Sequence, residues 1–242
     1  MSELVVPVLL TIITASTPLV FAAAGEVVVE KSGVLNLGVE GMMIVGAVVA
    51  FAVGVKTESA TLAILSGATG GMLTAFIFGF LTLRLLANQV ATGLALTIFG
   101  LGLSALIGHG FVGKTFSGLP KIGIPLLEQI PVLGSLLFVH DILVFLSVIA
   151  VFLITYVLNK TRLGLIIRAV GENHFAAHSI GYSVVWVRMG CILFGGSMAG
   201  LGGAYLSLAY TPLWVEGMTA GRGWIALALV VFASWRAWRA FF

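Results

Sequence analysis

TRLGLIIRAVGENHFAAHSIGY, Thr161 to Tyr182, is the polar interval around which the rest of the chain is arranged. Lys160, Arg162 and Arg168 enter it, Glu172 and Asn173 interrupt it, His174 and His178 come next, and Arg188 closes its far side. So many charged and hydrogen-bonding groups belong in water. Because Lys and Arg concentrate on the cytoplasmic side of membrane proteins, the interval also orients the apolar runs before and after it.

Those runs are nearly pure hydrocarbon. Of the 242 residues 60% are hydrophobic and 9% charged, against about 25% charged in a soluble domain. The deficit excludes a water-soluble globule and places the chain in the polytopic membrane class. Thirty-one glycines suit membrane helices that approach one another through small residues. The net charge of +3 is carried at the ends of apolar runs; it reads as a topology signal rather than a face for nucleic acid. Cys191 is the lone cysteine and lies among apolar residues, an inert thiol with no partner in the chain. No Lys or Arg precedes Lys31, so the first apolar run lacks the basic leader of a secretory signal and is expected to remain as a span.

Runs long enough for the about 20 helical residues that cross a hydrocarbon core occupy 5–25, 34–55, 60–83, 90–108, 136–158 and 184–208, and a seventh begins at Gly223. The expected fold is an all-α polytopic membrane protein, one transmembrane domain over 1–242, with six full spans plus a short or re-entrant C-terminal helix. With 159–183 inside, alternation puts 26–33, 84–89 and 234–242 inside, and Met1, 56–59, 109–135 and 209–222 outside. Lys31, Arg84, Lys160, Arg162, Arg168, Arg188, Arg236 and Arg239 then fall inside and Lys56, Lys114, Lys121 and Arg222 outside, the direction that the positive-inside rule requires.

Polar residues within the spans are the candidate functional groups. Asn36 and Glu40 open the second run in GVLNLGVEGMM, and Asn88 and Gln89 open the fourth. Each has an ordinary structural use as a cap or a snorkelling side chain. Intramembrane polar groups also favour water-filled paths, which makes these four the candidates for a solute pathway. In CILFGGSMAGLGGAYLS, Gly195, Ala199, Gly203 and Ser207 form one small-residue ridge and Gly196, Gly200 and Ala204 the ridge beside it. Helix packing is the favoured reading, a sliding gate the alternative. The seventh run, GWIALALVVFA, has about half the length of a span and is succeeded by SWRAWRAFF, a pattern suited to the membrane interface.

Enzymatic readings lack their geometry. GHGFVGKT, Gly108 to Thr115, matches a phosphate-binding loop, but that loop needs a strand before it, a helix after it and a distant acidic residue for magnesium. Here an apolar span precedes it, and Gly118 and Pro120 break the segment on its C-terminal side. Ser197 has no histidine at its depth to act as base. His174 and His178 without further ligands make no metal site. The Asn159 sequon lies on the inner side, where it is expected to go unused.

EKSGVLNLGVEGMMIVGA (Glu30 to Ala47), ANQVATGLAL (Ala87 to Leu96), RLGLIIRAVGEN (Arg162 to Asn173) and AGRGWIALALVVFA (Ala220 to Ala233) resemble the permease subunits of bacterial ABC importers in the branched-chain amino acid and simple-sugar group. They look most like the nucleoside and simple-sugar branch. The resemblance implies a short cytoplasmic coupling helix after the GEN sequence, docked in an ATP-binding subunit and formed by Gly171, Glu172, Asn173, His174, Phe175, Ala176, Ala177, Ile180 and Gly181, with Asn173 as N-cap and Gly181 as stop. It further implies that the chain is not itself an enzyme. It binds no cofactor, ATP and Mg being used by the partner subunits. The other implied partners are a second permease chain and an extracytoplasmic substrate-binding protein, and the site is the bacterial inner membrane, with no nucleic acid involved. The cargo expected is a nucleoside or a simple sugar, then a branched-chain amino acid; an ion-coupled carrier is the rival class. His174 stands where many members carry proline, and relatives continue with further spans beyond the equivalent of Ala233, so this chain is expected to lack them.

Overall fold

The computed structural model describes residues 2–123, 139–236 and 238–239. Its long helices are α1 (Ser2–Lys31), α2 (Val39–Thr57), α3 (Ala60–Leu83), α4 (Gln89–Gly108), α5 (Ile142–Lys160) and α8 (Val184–Tyr205), the last continuing as a π-helical turn over Leu206–Tyr210. Two short helices, α6 (Arg162–Glu172) and α7 (His174–Ser179), stand between α5 and α8, and α9 (Arg222–Phe232) comes after α8. Six helices among the described residues are long and apolar enough to cross a membrane. The 11 residues of α9 rise only about 16 Å at about 1.5 Å each. Strand β1 (Lys121–Gly123) pairs antiparallel with β2 (Val139–Asp141), a small departure from an all-helical fold. Much of the interval expected at 109–135, and the start of the run expected at 136–158, lie outside the described residues.

Short polar side chains start several helices in the way their types lead one to expect. Ser59 accepts from Leu62 N, Asn88 from Ala91 N at 3.0 Å, and Asp141 from Leu143 N and Val144 N. Burial raises the pKa of the Asp141 carboxyl, against those capping bonds.

Helix α2 is central, with thirteen of its nineteen residues buried, and α8 packs along α1, α2 and α3. The small ridges of α8 meet three different helices. A Cβ at Gly195 would strike Val29 of α1, at Gly196 Ala75 of α3, at Gly200 the Gly67 carbonyl of α3, and at Gly203 the Met43 carbonyl of α2. Ala199 is buried, and Ser207 Oγ donates to the Ala47 carbonyl at 2.8 Å. Backbone lies against backbone here, which only small residues permit.

Two boundaries differ from the sequence expectation. The first span does not end near residue 25 with a loop at 26–33: α1 continues through Pro18 and on to Lys31. Glu26 and Glu30 have protein partners: Glu26 Oε2 accepts from Asn36 Nδ2 at 3.1 Å and Glu30 Oε2 accepts from Trp235 Nε1. The second run is not helical from residue 34. Gly33, at φ +81°, turns the chain, and residues 34–38 run along α4 without helical bonding before α2 begins at Val39.

Contacts with α4 measure how far that linker climbs. Leu35 N donates to Gln89 Oε1 at 2.9 Å, Thr97 Oγ1 donates to the Leu37 carbonyl at 3.3 Å, and a Cβ on Gly100 would stand 2.8 Å from Gly41 Cα. Gly38, the residue before α2, lies against Gly93, and from Gln89 to Gly93 the helix rises about 6 Å, so α2 begins inside a core of about 30 Å rather than at its edge. Non-helical backbone is tolerated within the core only where protein covers it or where it lines a water-filled cavity.

Candidate functional site

Two places carry the polar chemistry. At the first, the start of α2 meets the start of α9. Glu40, only 4% exposed, accepts through Oε1 from Thr219 Oγ1 at 2.5 Å and Gly221 N at 2.9 Å, and through Oε2 from Gly223 N at 2.6 Å. The first amides of a helix have no partner within it. The residue at the N-cap position of α9 is Gly221, with no side chain to offer, and Glu40 supplies the acceptors from another helix. Negative charge also favours a helix N-terminus. Gly223 fits because a Cβ there would lie 2.6 Å from Glu40 Cα.

Asn36 is fully buried in the linker below this junction. Its Nδ2 donates to Glu26, and its Oδ1 accepts from Gly38 N at 3.0 Å. Gln89 holds Leu35 and Asn88 caps α4. All four pathway candidates therefore hydrogen-bond to protein; Asn36, Glu40 and Gln89 secure interrupted backbone, whereas Asn88 is exposed at a helix start. Glu26, Thr97, Thr219 and the 221–223 turn belong to the same junctions, and sequence reasoning misses them. The one available signal is the spacing of Glu26 and Glu30, four apart and hence on one helix face. One oxygen of each, Oε1, is buried without a hydrogen-bond partner among the described residues.

The second place is the 161–182 interval, folded as two helices rather than a loop. Thr161 Oγ1 accepts from Gly164 N to start α6. Asn173, in extended conformation, ends α6 and starts α7, its Oδ1 accepting from Ala176 N at 3.0 Å. At the other end Gly181 N donates to the His178 carbonyl and Tyr182 N to the Ala177 carbonyl. With Gly181 at φ +97° this is a Schellman stop. Ala177 is the buried residue of α7, while Phe175 is 74% and Ile180 71% exposed. Exposed apolar side chains on a short capped helix are suited to burial against another protein.

Behind α7 the connection to the bundle is close. A Cβ at Gly171 would strike the Lys31 carbonyl and stand 3.2 Å from Gly33 N. Arg188 Nε donates to the Ser32 carbonyl at 3.0 Å. The end of α6 thus bears directly on the turn between α1 and the linker that carries Asn36. Basic residues gather at this end, Lys31, Arg168, Arg236 and Arg239 lining one cavity. At the other end Lys56 and Lys114 flank the Phe111 ring, and Phe116 N donates to the Pro212 carbonyl at 3.1 Å.

No group of three His, Cys, Asp or Glu among the described residues could hold a metal. The segment resembling a phosphate loop is the end of α4 and a 3-10 turn, with Gly108 pressed against the Trp214 ring.

A family model described as branched-chain amino acid transport system / permease component matches residues 8–242. The chain belongs to this permease family. A putative glucose ABC transporter permease protein of Haloferax volcanii is 42% identical over 93% of this chain and 69% of its own length. A nucleoside ABC transporter permease protein of Lactococcus lactis is 34% identical and a guanosine ABC transporter permease protein of Bacillus subtilis 32%, each over 91% of this chain and 73% of its own length. No solved structure matches the chain. The protein is the permease subunit of an ABC transporter, a multi-pass membrane protein whose family implies ATP-binding and substrate-binding partners.

Proposed function

We propose that this permease imports a small hydroxyl-bearing solute, a nucleoside or simple sugar, on energy delivered through α7. The observation that carries the reading is the mechanical one: a capped helix with Phe175 and Ile180 exposed, joined through Gly171 to the turn at Lys31–Gly33. In this reading ATP and Mg are bound and used by separate ATP-binding subunits that grip α7. Gly171, Glu172, Asn173, His174, Phe175, Ala176, Ala177, Ile180 and Gly181 form the coupling surface. Closure of the two motors displaces α7 and α6, and rigid helices convert that into alternating access. A second permease chain completes the pathway, and a binding protein delivers solute at the end bearing Lys56 and Lys114, where the N-terminus also lies.

The cargo reading rests on relatives named for glucose, nucleoside and guanosine, which share ring hydroxyls. Asn36, Glu40 and Gln89 serve the pathway as holders of its interrupted helices, and Asn88 as the cap of α4. The test is uptake into vesicles with ATP inside and no ion gradient, with and without the ATP-binding subunits, on a panel of nucleosides, sugars and branched-chain amino acids. ATP-dependent uptake of a nucleoside or sugar supports the reading; uptake driven by an ion gradient without any ATPase overturns it.

A further inference from the structure

Two cavities meet at Leu158 near the inner end of α5. One, about 530 Å³, is lined by Lys31, Arg168, Arg236, Arg239, Thr155 and Asn159, with the indoles of Trp235 and Trp238 at its edge. The other, about 450 Å³, is an apolar groove between α5, α6 and α8, lined by Leu153, Val157, Leu163, Ile166, Trp186 and Phe194 among others. Leu158 lines both. Helix α6 divides them: Leu163 and Ile166 face the groove while Arg168 faces the basic cavity.

Among the described residues the basic cavity has four cations and no carboxylate in its lining. Glu30 and Glu172 line a smaller neighbouring cavity of about 170 Å³ beside Lys31 and Arg168, and Glu30 is bonded to Trp235. No ion pair of Lys31, Arg168, Arg236 or Arg239 occurs among the described residues. Thr155 Oγ1 is buried without a hydrogen-bond partner among them, although a helical threonine has its own preceding turn available as acceptor. Four cations and a bordering hydrocarbon slot describe one kind of ligand, with an anionic head and an apolar chain. Basic pockets between helices at the membrane boundary hold acidic lipid headgroups, and indoles favour the same depth.

We infer that this face seats an anionic phospholipid, its phosphate among Lys31, Arg168, Arg236 and Arg239, and an acyl chain along the Leu158–Phe194 groove. The inference is independent of cargo and of ATP coupling. The test measures thermal unfolding of the purified permease in neutral detergent doped with phosphatidylglycerol, phosphatidylcholine or inorganic phosphate, and retained lipid by mass spectrometry. Phosphatidylglycerol should raise the melting temperature saturably and be retained, whereas phosphatidylcholine and phosphate should not.

Each basic residue near an anionic surface is worth about fivefold in binding. Arg236→Gln with Arg239→Gln should therefore raise the half-saturating concentration about 30-fold. Gly190 lines the groove, and a Cβ there would meet nothing within 4 Å, so Gly190→Leu should fold and weaken dependence on acyl-chain length. Equal shifts with phosphate would reduce the site to a free-anion site, and equal shifts with phosphatidylcholine to a general lipid contact; either overturns the inference. Absence of any shift or retained lipid would also overturn it and point to protein covering this face.

Discussion

Helix α7 and the start of α9 are both short stretches of helix begun by a polar side chain, yet their caps come from very different distances along the chain. Asn173 caps α7 from three residues away. Glu40 caps α9 from about 180 residues away, between helices, with its carboxyl buried. The first arrangement is local and faces outward; the second is assembled only when the bundle closes. A locally capped surface helix can move as a unit against a partner, whereas a junction tied by three bonds in the interior fixes how two broken helices meet. The proposed seats of force reception and of pathway geometry thus lie in differently built parts of one molecule.

The severest test of that contrast is Glu40→Ala. It leaves Thr219 Oγ1, the buried Gly223 amide and the part-buried Gly221 amide without acceptors, and each orphaned buried group costs about 1–3 kcal/mol. The expected outcome is loss of folded protein in detergent, measured by monodispersity and melting temperature; Glu40→Gln, which keeps one carbonyl acceptor, should fall between. A near-normal Glu40→Ala would show that the α2–α9 junction is not held by this carboxyl.

Gly171→Val comes next. Its side chain must displace the Lys31 carbonyl, an overpacking of about 1–3 kcal/mol, and it should also lower solute-stimulated ATPase in the assembled transporter because α6 loses its seat on the α1 turn. Asn173→Ala should be milder, about 1 kcal/mol for a lost N-cap, with monodispersity intact and ATPase stimulation reduced. Equal thermal loss in Asn173→Ala and Glu40→Ala would erase the distinction between the local and the distant cap.

Phe175→Ala should have the smallest structural effect, within about 0.5 kcal/mol for so exposed a site. Its effect belongs to assembly, since truncating an apolar anchor at an interface commonly costs more than about 1 kcal/mol of binding. Co-purification with ATP-binding subunits should therefore fall while the melting temperature of the isolated permease holds. Unchanged co-purification and unchanged ATPase would remove α7 as the docking element.

Sequence reasoning reaches the two regions unequally for the same reason. Asn173, Ala177 and Gly181 lie within nine residues, and capping chemistry at that range is readable from residue type and spacing. Glu26 and Glu30 read as a polar loop because charge beside an apolar run ordinarily means water; Asn36 and Trp235 supply the partners that keep them in α1. The second apolar run reads as a continuous span because length and hydropathy register only that a segment is buried. They cannot distinguish a helix from extended backbone lying along α4.

By itself, then, the sequence determined that this is a polytopic helical membrane protein, where most spans lie, which intervals are polar, and how α7 begins and ends. These properties stem from composition and from interactions over a few residues. Only the tertiary structure decided where α1 continues, where α2 truly begins, what Glu40 holds and which helices the small ridges of α8 touch. Each depends on a hydrogen bond or a backbone contact between segments far apart in the chain, and a buried polar group is settled by the partner that the fold brings to it.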